Sequence, residues 1–232
     1  QIQVYLLTYV AIALLVSLWV LPGLVSTLTP IRYGEVLGGT RSALITAFMA
    51  GDLFIVLPIL IEDSKALLAR HQITDAHTSS LPDVIVPASF NVPHTGKLLS
   101  VSFILFAAWF ADVVLSLADY PRLALTGLLT FFGSLNAAVP FLLDVFRVPA
   151  DTFQLYLATG VINARFGALL AALHTVAVAL LGSAAVTGRL RLDPARLLRF
   201  GIVTVLLTGA TIGGLRVTFA SVLRQEFAGE AV

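Results

Sequence analysis

Pro87-Ala88-Ser89-Phe90-Asn91-Val92-Pro93-His94-Thr95-Gly96-Lys97 is a polar, helix-breaking island between two apolar stretches, Val84-Ile85-Val86 before it and Leu98 to Leu117 after it. Pro93 has no backbone donor and disfavours helix at Val92, and Gly96 accepts torsions that other residues avoid. A helix running through this stretch must open here. If it opens inside a bilayer, the freed carbonyls and amides need partners, and a bound ion or solute can supply them. The pattern is that of a transporter helix unwound at its binding site.

Composition places the island in a membrane. Of 232 residues, 58% are hydrophobic and 12% charged, where soluble domains carry about a quarter charged residues. The net charge is +1 and no basic run is present, so nothing points to nucleic acid. There is no cysteine, which excludes disulfide, thiol and Cys-ligated metal chemistry. The chain opens at Gln1 inside an apolar run, which reads as a piece of a longer protein.

The first span is expected over 4–28, uncharged and about long enough for a ~30 Å hydrocarbon core. The next apolar segment, 43–62, is broken by Ala50-Gly51-Asp52 into halves of about nine residues, each too short to cross. Two short helices meeting at a Gly-Asp tip read as a re-entrant hairpin; the alternative is one helix with an aspartate at mid-membrane. Asp52 is costly at that depth in either case, which makes it a functional candidate. Residues 62–83 are the most polar part of the chain, and His71 and His77 read as loop residues rather than metal ligands. The broken helix spans 83–117. A second interrupted segment, 123–146, has Gly133-Ser134-Leu135-Asn136-Ala137-Ala138-Val139-Pro140 at its centre, with its tip expected at Ser134 to Ala138. Helix 150–181 follows, with Pro149 and Asp151 at its start. The membrane region is thus 1–186. A polar turn, a final span and the start of a linker, placed at 224–232, occupy 187–232.

Charge placement supports this layout. If both hairpins re-enter, loops 29–42, 64–82 and 187–199 share one side and hold Arg32, Arg41, Lys65, Arg70, Arg189, Arg191, Arg196 and Arg199. The loops near 112–122 and 144–151 hold Arg122 and Arg147 against Asp112, Asp119, Asp144 and Asp151. That asymmetry obeys the positive-inside rule.

Arg165 is the sharpest chemical clue. A guanidinium within an apolar helix keeps its proton and is expensive without a partner, and a substrate carboxylate can meet its fork with two parallel hydrogen bonds. A structural ion pair is the competing account, with Asp52 as the nearest candidate acid. Asn91, Asn136, Ser134 and Asn163 are further substrate-site candidates. Asn91, Asp52 and His94 are the candidates for cation or proton coupling, His94 because imidazole titrates near neutral pH. Lys97 reads as a snorkelling or paired lysine, and His174 as a packed one. No nucleophile–base set, phosphate loop or metal cluster is visible, so neither an enzyme nor a resident metal or cofactor is expected.

Taken in order, Thr46-Ala47-Phe48, Leu57-Pro58, the broken helix with Asn91 and Thr95, a Gly-Ser…Val-Pro tip and then Arg165 resemble the dicarboxylate/amino acid:cation symporter family, the glutamate-transporter-like elevator proteins. Asn91-Val92-Pro93-His94-Thr95 stands where that family has its Asn-Met-Asp-Gly-Thr motif. Gly51 to Phe54 and Gly133 to Pro140 stand at its two hairpin tips, and Arg165 at its carboxylate-binding arginine. The resemblance covers 4–181, the family's mobile transport domain. Pro93 replaces the motif's acid, Ile162 replaces the aspartate that holds an amino group, and Leu169 and Leu173 replace polar cation- and substrate-binding positions. It therefore implies a divergent branch without an ammonium site, and leaves Na+ or H+ coupling open.

The fold expected is all-α and integral to the membrane: broken transmembrane helices with two re-entrant helical hairpins, an elevator-type transport domain whose tips meet near the Asn91–Gly96 break. The expected function is symport of small carboxylates or dicarboxylates across a bacterial inner membrane by a multi-pass protein. The alternative is a membrane sensor that kept the fold and lost cation coupling. The resemblance further implies a homotrimer, and some members of this divergent look carry a fused extracytoplasmic solute-binding domain.

Overall fold

The computed structural model describes the backbone of residues 1–229 and the side chains of residues 1–219. Helices make up the regular structure, and no strand occurs among the described residues. They are α1 (Ile2–Leu15), α2 (Leu21–Leu28), α3 (Tyr33–Gly39), α4 (Arg41–Ala50), α5 (Leu57–Arg70), α6 (Leu81–Phe90), α7 (Thr95–Leu98), α8 (Val101–Phe110), α9 (Asp119–Thr130), α10 (Leu135–Val145), α11 (Phe153–Ala158), α12 (Gly160–Val186) and α13 (Pro194–Gly229). Three stretches, Ile2–Leu28, Gly160–Val186 and Pro194–Phe219, are long and apolar enough to cross a membrane. The architecture is that of an all-α membrane protein.

α1 and α2 form one span joined by a π-turn at Val16–Val20, in which the Leu21 amide reaches back to the Val16 carbonyl. Pro22 explains it. A proline cannot bond the carbonyl four residues back, here that of Leu18, and its ring crowds the same turn. The Tyr33 hydroxyl donates to the Leu18 carbonyl left over.

α12 is the hub, packed against α1, α2, α4, α5, α6 and α7. Its 27 residues make about 40 Å of helix. Glycine and alanine recur along it, and small residues let neighbouring backbones come close where lipid offers no hydrophobic drive between helices. Around it the two interrupted segments double back. In the first, Gly51 takes the left-handed conformation (φ +69°) after α4, and the chain returns so far that His71 Nε2 lies 3.1 Å from Glu35 at the start of α3. In the second, the Arg122 guanidinium at the start of α9 sits 5.5 Å over the Phe146 ring just beyond α10. Each is a helix–turn–helix, not one continuous helix.

Several boundaries differ from expectation. α5 continues through Arg70, because Leu60, Ser64, Leu67 and Leu68 bury one face while Lys65 bonds Glu62 at 3.5 Å and Asp83 of α6 at 2.7 Å on the other. The first helix–turn–helix thus outruns 43–62, and the loop expected at 64–82 is helical over 64–70 and again from Leu81. The second turn lies at Phe131–Ser134, before the expected Ser134–Ala138, because Ser134 caps α10 with its hydroxyl accepting from the Asn136 amide. α8 stops at Phe110, short of Leu117. Asp112 adopts φ +55° there and the Val113 amide bonds the Ala108 carbonyl at 2.8 Å, a Schellman ending. Short polar side chains tolerate that conformation best. The helix expected over 150–181 is interrupted at Thr159, whose hydroxyl donates to the Tyr156 carbonyl at 3.0 Å and competes with helix continuation just before Gly160. Its second part then runs on to Val186. Finally, α13 continues through Gly229, past the start of the linker expected at 224–232; residues 230–232 lie outside the described residues.

α13 starts with Asp193 as its cap, accepting from the Ala195 amide at 3.0 Å, and with Pro194 at its first position. It leans on the first span: Trp19 Nε1 donates to Thr204 Oγ1 at 3.1 Å, and Phe200 lies over Gly23. On the same side the Arg191 amide bonds the Leu28 carbonyl at 2.8 Å. Outside the spans, the Arg32 amide donates to Glu35, which with the nearby His71 holds that carboxyl below its usual range.

Candidate binding site

Between the two turns, the helix break and α12 lies a cavity of about 410 Å³, inside the range of small-molecule sites, ~300–1,000 Å³. Its walls come from Gly51, Asp52 and Leu53 of the first turn, Leu135 and Asn136 of the second, and Phe90, His94, Gly96, Lys97 and Ser100 around the break. Tyr9, Tyr156 and the Gly160–Ala171 part of α12 close it.

The break is built as its residues require. α6 ends at Phe90, and Asn91 Nδ2 donates to the Pro87 carbonyl at 3.1 Å. His94 is extended (ψ 162°) and caps α7, its Nδ1 accepting from the Lys97 amide at 3.3 Å. Gly96 then presses α7 onto α12. A β-carbon at Gly96 would land on the Gly167 carbonyl oxygen, and one at Gly167 would come within 3.1 Å of Tyr9 Oη. Tyr9 Oη in turn donates to the Asn163 carbonyl at 3.0 Å. Tyr5, Phe103, Phe106 and Tyr156 form an aromatic cluster that reaches the cavity through Tyr156, with the Tyr5 and Phe103 rings edge to face at 5.4 Å and Phe103 and Tyr156 at 5.1 Å.

The candidate residues divide. Asp52, His94, Asn136 and Asn163 line the cavity. Asp52 Oδ1 also accepts from the Phe54 amide at 2.9 Å, fixing the turn. Asn163 is buried, at 6% exposure, and both ends of its amide have protein partners: Oδ1 accepts from Tyr5 Oη at 3.1 Å and Nδ2 donates to Thr159 Oγ1 at 2.9 Å. Asn136 lies at the cavity wall where Pro140, four residues on, lacks the amide that would pair with its carbonyl.

Asn91, Ser134 and Arg165 are not among the lining residues. Asn91 and Ser134 cap helix ends and are exposed. Arg165 is exposed, and the ion pair expected with Asp52 is absent; among the described residues no carboxylate lies within 4.0 Å of its guanidinium. Helix geometry gives the reason. Gly160, Asn163, Ala164, Gly167, Ala168 and Ala171 define the cavity face of α12, and at 100° per residue Arg165 points about 130° away from its centre. Arg165→Gln is accordingly expected to change solute affinity by no more than about twofold, the scale of an exposed substitution. Calorimetric titration reads this directly, and a tenfold loss would return the arginine to the site.

Lys97, unlike Arg165, lines the cavity. Among the described lining residues it is the one fixed cation and Asp52 the one acid, and no carboxylate lies within 4.0 Å of its Nζ. Its ammonium donates to the Gly133 carbonyl in the second turn at 3.4 Å. Ser100 Oγ and Tyr156 Oη, 3.4 Å apart, add two hydroxyls that sequence reading also passed over. The spacing of His94 and Lys97, one helical turn apart across Gly96, was the available signal. No protein-family model, curated protein or solved structure matches this chain.

Proposed function

We propose that this chain is the transport domain of a secondary active symporter for small carboxylates, of the dicarboxylate/amino acid:cation symporter type, working in a bacterial inner membrane by elevator-type alternating access. The observation that carries the reading is one cavity of about 410 Å³ shared by two doubled-back helical turns and a broken helix, with a lysine in its wall that has a backbone carbonyl and no carboxylate as partner. Both segments then re-enter the bilayer and gate the solute from opposite sides. Broken helix ends with lone backbone groups and one cation suit an anionic solute of a few carbon atoms. Asp52 and His94 are the groups through which a proton would couple, since the side chains of Pro93, Leu169 and Leu173 offer no oxygen ligand for Na+. A homotrimeric assembly belongs to the same reading.

Uptake of labelled succinate and citrate into proteoliposomes tests it. Accumulation driven by a proton gradient and little changed by Na+ is expected; steep dependence on Na+ with indifference to pH would refute the coupling, and no flux of any carboxylate would refute transport. The same missing cation ligands favour a second reading, a membrane sensor on this fold. Carboxylate-induced thermal stabilisation without flux is the result that selects it.

A further inference from the structure

We infer that Lys97 is the specificity-determining residue of the cavity and that its bond to Gly133 is a latch on the second turn which a carboxylate releases. The inference rests on reading the cavity as a carboxylate site. Lys97 Nζ donates to the Gly133 carbonyl at 3.4 Å, a long bond from a charged donor to a neutral acceptor. Gly133 lies in the short link Phe131–Ser134 between α9 and α10, and the next two residues, Leu135 and Asn136, form cavity wall. The lysine itself is carried on α7, which Gly96 fixes against the backbone of α12. One end of the bond is therefore held rigidly and the other sits on a turn.

A carboxylate entering the cavity offers the ammonium a charged acceptor. Ammonium–carboxylate bonds are shorter than 3.4 Å, about 2.7–2.9 Å, and roughly twice as strong as neutral ones. The solute therefore takes the proton donor away from Gly133, and the second turn loses its tie to α7. A neutral analogue of the same shape has no such advantage over a backbone carbonyl. Selection for negative charge and release of the turn are thus one event. It acts on the second turn, whereas an Arg165–Asp52 pair would have acted on the first.

The absence of cysteine makes the test direct, because a single introduced thiol labels without background. Phe132→Cys reports on the second turn and Met49→Cys, at the end of α4, serves as the control, both positions being exposed. In lipid nanodiscs, Lys97→Gln should raise the maleimide labelling rate at Phe132→Cys by about three- to tenfold, the worth of one such bond, and leave Met49→Cys unchanged. Lys97→Arg, which keeps a charged donor, should retain the labelling rate of the Lys97 protein. In the Lys97 protein, succinate or citrate should accelerate labelling at Phe132→Cys and succinamide should not, and the acceleration should vanish in Lys97→Gln. Labelling unaltered by Lys97→Gln, or a wild-type response shared by succinamide or absent with both carboxylates, overturns the latch. Labelling changes as expected without any carboxylate flux overturn the transport reading and leave the latch standing.

Discussion

Gly96→Ala is expected to lower the unfolding temperature of the detergent-solubilised chain by about 2–12 °C and to abolish carboxylate binding. The added methyl would occupy the position of the Gly167 carbonyl oxygen and come within 3.1 Å of the Ala171 β-carbon. A carbonyl inside a packed helix cannot rotate away as a side-chain tip can, so α7 must lift off α12. Overpacking costs about 1–3 kcal/mol, and in a chain of this length each kcal/mol moves the midpoint by about 2–4 °C. The displacement matters more than the energy. α7 carries Lys97, and a shift of ~1 Å there moves the ammonium away from where a bound carboxylate would meet it. Gly160→Ala is the matched control: it lines the same cavity, its β-carbon would meet nothing within 4 Å, and its unfolding temperature should hold or rise slightly. Equal losses in the two variants would show that the close approach of α7 to α12 does not hold the site together.

The parts of this fold that were legible in the sequence are those where a residue removes a backbone option. Pro93 ends α6 and opens the chain at the island, and Gly51 turns the first segment back. Each acts locally, so reading it needs no knowledge of the neighbours. The orientation of α12 was not legible in that way. It is apolar almost all round, and Arg165 signals a cost without giving a direction. Its inward face is marked instead by Gly160, Ala164, Gly167 and Ala171, small residues at spacings of four and three where α7 and the first turn come close. The partner of Lys97 was not legible for a related reason. A lysine next to an apolar run looks like a snorkelling residue until tertiary structure brings the Gly133 carbonyl to it from 36 positions away. The early stop of α8 and the interruption at Thr159 hang on side chains capping their own turns, and such local competition is balanced by packing that a linear pattern does not contain.

Asn163→Leu separates a structural clamp from a ligand in the middle of the cavity wall. The substitution keeps the volume but removes the acceptor for Tyr5 Oη and the donor to Thr159 Oγ1, at positions that are 2% and 4% exposed. A buried polar group left without its partner costs about 1–3 kcal/mol, and interhelical bonds in membranes fall at the lower part of that range, so a total near ~2–4 kcal/mol is expected. That corresponds to a fall of about 5–12 °C in the unfolding temperature. Tyr5→Phe removes the orphaned hydroxyl in advance. The double variant should therefore lose less than the sum of the single ones, with a coupling of at least ~0.5 kcal/mol. Carboxylate affinity, titrated well below the transition, should meanwhile change by less than about tenfold, because the amide already spends its oxygen and nitrogen on Tyr5 and Thr159. The opposite pattern, an unaltered unfolding temperature with affinity lost more than tenfold, would mean that the amide turns from its protein partners to the solute, and Asn163 would then stand beside Lys97 as a binding residue.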